Sequence, residues 1–158
     1  MTVIDLPEPD VVDTPGQRFV GLAADYDMGR RREIPALYTR FLAARDAIAG
    51  AVTGALYGIS FAMQPDGRFR YAVAVEVPEP GAVPEGFTVL ETDPGPWAVF
   101  RQRAPVEELP ARFDAVFARW LPGSGLAVRP GPVFERYPDD DAPEVGRMLY
   151  EIWVPVRR

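Results

Sequence analysis

The segments IPALYTRFLA (residues 34–43) and LPARFDAVFA (residues 109–118) decide the fold, because they are two versions of one amphipathic helix. At an offset of 75 residues (109 − 34) they share proline at the second position and alanine at the third and tenth. Apolar side chains recur at helical spacing in both segments. Each helix must bury that apolar stripe against another element, so the chain consists of two related units.

Strand-like segments flank both helical patterns in the same order, with one apolar segment before each helix and two after it. The helical patterns cover residues 33–50 and 106–121. A stretch rich in proline and glycine, residues 77–86, separates the two halves. The strand-like segments are residues 17–28, 55–63 and 69–78 in the first half, and residues 97–105, 132–138 and 147–156 in the second.

This order predicts an α+β fold of two strand-helix-strand-strand modules related by pseudo-twofold symmetry. We expect one domain over residues 1–158, with the first module in about residues 1–80 and the second in about residues 81–158. The sheet should be antiparallel. We expect both helices on one face of the sheet and a ligand cleft on the other face.

Composition excludes several kinds of chemistry. The chain has no cysteine and no histidine, and all 17 basic residues are arginine, which rules out disulfides, Cys/His zinc sites, serine–histidine relays and lysine Schiff bases. We therefore predict no metal and no cofactor. The net charge of −6 argues against nucleic acid as a partner, because binding to its backbone needs a positive surface, and it mildly favours a cationic ligand.

Neither a membrane-spanning run nor a signal peptide is visible in the sequence. The longest apolar runs are of strand length, and the N-terminal MTVIDLPEPD has no basic region followed by an apolar one. We expect a cytoplasmic protein with no membrane partner.

The last strand-like segment, YEIWVPV (residues 150–156), places an acid beside aromatic residues. If the helices cover its apolar positions, Glu151 and Trp153 point the other way. The same alternation in FERYP predicts that Glu135 and Tyr137 share that groove. A carboxylate in an aromatic groove suits flat lipophilic cations of many shapes. The alternative is that Glu151 simply faces solvent over an exposed ring. Further rings predicted to line the groove are Tyr71 and Trp97.

Three motifs, in this order, carry a resemblance to a known family: WAVFRQRAPVEELPARFDAVFARWLPGSG (residues 97–125), FERYPDDD (residues 134–141) and YEIWVPV. They resemble the GyrI-like (gyrase-inhibitor-like) small-molecule-binding family, which also supplies the effector-binding domain of AraC-type and MerR-type multidrug regulators. The resemblance implies the two-module fold inferred above and a hydrophobic, often cationic, ligand between the modules. Because the binding domain begins close to the start of the sequence, we expect a stand-alone member without a DNA-binding domain.

The resemblance also implies residue roles. Glu151 would contact the positive charge, Trp153 would line the cleft, and Glu135 would be a second acid. The aromatic contacts of the first half do not transfer cleanly, and their candidates are Tyr57, Tyr71 and Trp97. We therefore predict a small-molecule-binding protein that acts in sequestration, sensing or resistance.

Two alternative functions stay open. The first is a hydrolase of cyclopropane-bearing, DNA-alkylating natural products, in which Glu151 and Glu135 are the catalytic carboxyl groups. The second is a protein that interacts with gyrase, as the family name implies.

Overall fold

The computed structural model describes residues 4–158, which form one antiparallel sheet with two main helices. The helices are α1 (Ile34–Ala44), α2 (Leu109–Ala115) and the short α3 (Leu121–Gly123), with 3-10 turns at Arg31–Glu33, Arg45–Ala47 and Val106–Glu108 and a π turn at Val116–Trp120. The strands are β1 (Asp10–Thr14), β2 (Arg18–Tyr26), β3 (Ala55–Phe61), β4 (Phe69–Glu76), β5 (Thr88–Glu91), β6 (Gly95–Ala104), β7 (Ala127–Val128), β8 (Val133–Pro138) and β9 (Met148–Arg157).

Eight strands cross the sheet in the order β1-β6-β9-β8-β3-β4-β2-β5, and β7 pairs with β9. The succession strand-helix-strand-strand occurs twice, as β2-α1-β3-β4 and as β6-α2-β8-β9, with the short β7 before β8. The two units meet at the centre of the sheet, where β3 pairs with β8. The predicted α+β fold of two such modules is confirmed.

Three strands were absent from the sequence prediction. β1, β5 and β7 have five, four and two residues, and many of their side chains are exposed. Short strands with so little burial leave almost no periodic signal. The first predicted helix is also shorter than expected, because α1 ends at Ala44. No helix in residues 4–158 combines the length and the apolar character that crossing a membrane requires.

Proline marks the start of both main helices. Pro35 and Pro110 lie in the first turn of α1 and α2, and neither helix has a side-chain cap at its N-terminus. A proline there has a suitable φ, and its missing N–H costs no helical hydrogen bond. The proline shared by the two repeated segments therefore fixes where each helix begins.

Two rows of paired residues define the two faces of the sheet, because directly paired residues project from the same face. The first row is Val73, Gly58, Glu135 and Ile152, across β4, β3, β8 and β9. Both helices pack on this side, which we call the helix face. The adjacent row forms the opposite face and consists of Ala74, Tyr57, Arg136, Glu151 and Arg101.

The helix face carries two apolar clusters, one under each helix. Leu37 and Phe41 of α1 are buried with Val73 and neighbouring side chains of β2 and β4. Val116, at the start of the π turn, is buried with Ile152 and other side chains of β6 and β9. Each helix is thus anchored to the strands of its own module, and the space above the β3–β8 pair lies between the two anchors.

An aromatic cluster fills the middle of the opposite face. Phe134 is fully buried at its centre, and its ring stacks on Trp153 with centroids 5.3 Å apart and planes 17° apart. The rings of Trp97, Tyr57 and Phe19 lie 5.1, 5.6 and 5.9 Å from that of Phe134. Rings from both modules meet here, so this cluster helps to hold the two halves together.

We expect Phe134→Ala to lower the free energy of unfolding by about 3–5 kcal/mol, because it removes a fully buried ring and leaves a cavity. Urea unfolding followed by tryptophan fluorescence measures the change. Val145→Ala is the matched control, since Val145 is fully exposed, and it should change stability by less than about 0.5 kcal/mol. Equal stabilities of the two variants would mean that the cluster does not hold the modules together.

Candidate functional site

A cleft of about 950 Å³ lies on the helix face between α1 and α2. The sequence predicted the cleft on the face away from the helices. That prediction is wrong for the larger cavity, which lies on the helix face. The aromatic cluster occupies the middle of that opposite face, where a smaller cavity of about 480 Å³ lies beside Phe61 and Leu90. The floor of the large cleft consists of Leu56, Ser60, Tyr71, Val133, Glu135 and Tyr137.

Glu135 is the acid at this floor, and it is only 3% exposed. The Tyr71 hydroxyl donates a hydrogen bond to its Oε1 atom. The Tyr38 hydroxyl lies 3.5 Å from the same oxygen and 2.6 Å from the Tyr71 hydroxyl. Two tyrosines, one from α1 and one from β4, therefore hold one carboxylate oxygen in place.

The environment of Glu135 favours its neutral form. Burial raises the pKa of Glu135 from 4.5 to about 7, and the hydrogen bond from Tyr71 opposes this rise only in part. Within residues 4–158 no arginine forms an ion pair with Glu135. Burial, and then the nearby charge of Glu135, raise the pKa values of Tyr38, Tyr71 and Tyr137. The tyrosines thus stay protonated and can donate hydrogen bonds.

Gly58 makes room for this group of polar atoms. It pairs directly with Glu135 across the β3–β8 ladder. A Cβ atom at Gly58 would overlap the Tyr71 hydroxyl and the Glu135 carboxylate. Glycine inside a strand often marks such a close approach. Only a residue without a side chain leaves room for the carboxylate and the hydroxyls here.

The two walls of the cleft differ in character. Tyr38 of α1 brings a hydroxyl, whereas the position aligned with it in α2, 75 residues later, is Phe113. Phe117, which is 38% exposed, adds a second ring on the α2 side. It lies in the π turn, a local widening of the helix that is frequent at functional sites. The α2 wall is therefore more apolar than the α1 wall.

Charged residues lie at the mouth of the cleft. Arg31 and Arg32 precede α1, and Glu107 and Asp114 belong to the α2 side. The mouth is therefore mixed in charge, while the buried floor carries the single acid Glu135. Such a cavity combines apolar area with one buried carboxyl group and a few polar groups at its mouth, which is the usual character of a small-molecule site.

Glu151 lies on the opposite face, so the prediction that Glu151 and Glu135 share one groove is wrong. Its carboxylate accepts hydrogen bonds from Arg101 at 2.6 Å, from Arg136 at 3.1 Å and from the Trp153 indole at 3.0 Å. The register explains the separation, because Arg136, not Glu135, pairs with Glu151. Two arginines already neutralise Glu151, and this leaves no unpaired charge for a cationic ligand.

The predicted aromatic residues divide between the two faces. Tyr71 and Tyr137 line the large cleft together with Glu135. Trp153, Trp97 and Tyr57 belong to the aromatic cluster of the opposite face, where the Tyr57 hydroxyl accepts a hydrogen bond from Arg136 at 3.2 Å. The structure therefore does not bring these last three residues to the large cleft.

Sequence reasoning missed Tyr38 and Gly58 as site residues. Tyr38 was part of the apolar stripe of the first helix, where its ring does pack against the core, and its hydroxyl gave no separate signal. Gly58 did carry a signal, because a lone glycine inside the strand pattern ALYGISF indicates that another group approaches closely.

A family model described as the GyrI-like small molecule binding domain matches residues 7–157. The chain belongs to the GyrI-like family. The transcriptional regulator BrlR of Pseudomonas aeruginosa is 30% identical to this GyrI-like chain over 136 residues, which cover 85% of the chain and 47% of BrlR. The chain thus spans about half the length of that curated relative.

Solved structures share the fold of this GyrI-like domain. SAV2435 bound to tetraphenylphosphonium has a TM-score of 0.74 and 22% identity, covering 96% of this chain and 94% of that one. The EcmrR C-terminal domain has a TM-score of 0.68 and 13% identity, covering 95% and 97%. A hydrolase encoded by lin2189 from Listeria innocua has a TM-score of 0.56 and 14% identity, covering 95% and 92%. Identities this low show the fold alone.

We expect Gly58→Ala to destabilise the protein by roughly 1–3 kcal/mol, because the added methyl group overlaps the carboxylate and the hydroxyl above it. Urea unfolding measures the loss. Gly81→Ala is the matched control, since a Cβ atom at Gly81 meets no atom within 4 Å. If both alanine variants were equally stable, Gly58 would not be needed to accommodate Glu135.

Proposed function

We propose that this GyrI-like domain binds lipophilic cations in the cleft between α1 and α2, with Glu135 as the partner of the positive charge. The observation that carries the proposal is a buried carboxyl group on the floor of an apolar cleft, which forms no ion pair with any of residues 4–158. Keeping a carboxylate charged at such a place is costly unless an opposite charge is brought to it. A bound cation supplies that charge.

The rest of the cleft suits the remainder of such a ligand. The rings of Tyr71 and Tyr137 belong to the floor and those of Tyr38 and Phe113 to the walls, and the faces of such rings attract cations as well as apolar groups. These contacts demand little geometric precision, so ligands of several shapes can be accommodated. The volume of about 950 Å³ is sufficient for a drug-sized molecule.

The bound neighbour supports the same class of ligand. SAV2435 was solved with tetraphenylphosphonium, a lipophilic cation, and it shares the fold over almost its whole length. BrlR is a transcriptional regulator, and the region of BrlR that matches this domain is about half of its chain. We infer that the domain detects or sequesters its ligand, and that in a regulator the same cleft would pass the signal of binding to other parts of the protein.

Titration of the protein with tetraphenylphosphonium in a calorimeter tests the role of Glu135. We expect Glu135→Gln to weaken binding by about tenfold to a hundredfold, since a charged contact in a buried site contributes about 1.5–3 kcal/mol. The neutral analogue triphenylphosphine oxide should lose much less affinity. Equal losses for the two ligands would show that Glu135 is not the charge partner.

Glu151→Gln is the matched control, because it removes the same charge from the opposite face. It should leave the affinity for tetraphenylphosphonium unchanged to within about twofold. Urea unfolding of both variants checks that each is folded at the temperature of the titration. If only Glu151→Gln lost affinity for tetraphenylphosphonium, Glu151 would be the partner of the positive charge, as the family resemblance implied.

The affinity should also depend on pH. Since the pKa of Glu135 is about 7, a cation that needs the ionised form must displace a proton at lower pH. We therefore expect the affinity of the wild type to fall about tenfold for each pH unit below about 7 and to be constant above that value. Calorimetry from about pH 5 to about pH 8 follows the change, and Glu135→Gln should show a flat profile over this range. A flat wild-type profile would contradict the assignment.

Hydrolysis is a second candidate function, and Glu135 is the group that favours it. A carboxyl group whose pKa is about 7 can donate and accept protons at neutral pH, and two tyrosine hydroxyls lie beside it. The version that pairs Glu135 with Glu151 is not possible, because the two acids lie on opposite faces.

Incubation with a cyclopropane-bearing alkylating compound, followed by chromatography, should give a hydrated product that Glu135→Gln does not form. The gyrase alternative stays a prediction.

A further inference from the structure

The methionines of this chain gather around one cavity. The chain has four methionines and no cysteine, and three of these methionines, Met28, Met63 and Met148, line the cleft between α1 and α2. They are 56%, 62% and 44% exposed. Apart from Met1, every methionine of the chain therefore lines the ligand site proposed above, and Met63 also lines the smaller cavity.

These three residues do not serve as core filler. None of them belongs to the buried clusters formed by residues 4–158, which are built from alanine, branched aliphatic and aromatic side chains. Met28 follows β2, Met63 follows β3, and Met148 is the first residue of β9. Three separate segments thus place an exposed, flexible, apolar side chain at the edge of the same opening. We call these three residues the methionine rim.

Exposed apolar side chains that gather in one place usually mark a binding surface. Phe117 and Val106, which are 38% and 39% exposed, also line the cleft, so the rim continues an apolar patch on the α2 side. A methionine side chain is unbranched and polarisable, and it adapts its shape to rings and alkyl groups at low cost. Leucine or isoleucine would supply similar area in a more rigid form.

We propose that the methionine rim is a specificity-determining part of the ligand site, which adapts to the apolar groups of lipophilic cations that extend outward from Glu135. This inference rests on the proposed function and deepens it. Glu135 selects for positive charge, whereas the rim sets how large and how varied the apolar groups can be. Small cations that bind at the floor do not contact the rim, whereas bulky cations do.

Two triple variants separate flexibility from apolar character. Replacing all three rim residues by glutamine keeps the unbranched length and removes the apolar end, whereas replacing them by leucine keeps the apolar area and removes the thioether. The probes are phenyltrimethylammonium, tetraphenylphosphonium and decyltriphenylphosphonium, each titrated by calorimetry. Leu42→Gln is the control, because Leu42 is an exposed apolar residue, 54% accessible, outside the cleft lining.

We expect the glutamine variant to bind phenyltrimethylammonium as the wild type does and to bind the two phosphonium ions about tenfold more weakly. The leucine variant should bind tetraphenylphosphonium within about threefold of the wild type but lose affinity for the decyl derivative, whose flexible chain needs an adaptable rim. Leu42→Gln should change none of the three affinities.

Oxidation provides a second, independent measurement. Hydrogen peroxide transfers one oxygen atom to each thioether sulfur and leaves as water, and the resulting sulfoxide is polar. Peroxide treatment of the wild type should therefore reproduce the loss expected of the glutamine variant, and methionine sulfoxide reductases should reverse it. The affinities of the leucine variant should be unchanged by the same treatment. Mass spectrometry confirms the number of oxygen atoms added.

Two different failures can be told apart. If the wild type binds the phosphonium ions and both triple variants bind all probes equally well, the rim inference is wrong and the proposed function stands. Equal losses for phenyltrimethylammonium and for the phosphonium ions would also overturn it, because a small cation should not sense the rim. If the wild type binds none of the cations, the proposed function fails, and the rim inference fails with it.

Discussion

The buried carboxyl group of Glu135 is the constraint around which this molecule is arranged. A carboxylate at 3% exposure is tolerated only if it is hydrogen-bonded or neutral. Tyr71 and Tyr38 supply hydrogen bonds from two different elements, and Gly58 supplies the space beneath. Each of these conditions fixes part of the fold, since α1 must approach the sheet here and β3 must pair with β8 in one register. The cleft exists because the two helices are anchored apart, on either side of this acid.

The register between β8 and β9 places the two glutamates of these strands on opposite faces of the sheet. Glu135 pairs with Ile152 and faces the helices, whereas Glu151 pairs with Arg136 and faces away from them. On the opposite face, arginines are available on both neighbouring strands, and Glu151 is neutralised by Arg101 and Arg136. On the helix face, none of the arginines in the described part of the chain forms an ion pair with Glu135. The same type of side chain is thus ion-paired in one place and without an ion pair to residues 4–158 in the other, and the difference arises from one position of strand alternation.

The sequence contains most of the fold but only part of the site. The repeated helices and the alternating strands are local patterns, and the structure confirms the modules that they predict. Alternation shows which residues of one strand share a face, but it does not show how that strand is aligned with its neighbour. For this reason Glu135 and Tyr137 were correctly placed together and wrongly placed with Glu151. The short edge strands, and the hydroxyl of Tyr38 inside an apolar stripe, depend on tertiary contacts that no local pattern records.

The cleft breaks the symmetry of the fold, and this asymmetry has a physical reason. Two related modules meet at the β3–β8 pair, yet only one side of that pair carries an acid, since Glu135 faces Gly58. An acid at both positions would place two buried carboxyl groups in contact, and one of them would have to be neutral. The helices differ in the same way, with Tyr38 on one and Phe113 on the other. The floor and the α1 side of the cleft therefore carry hydroxyl groups, whereas the α2 side presents rings without them.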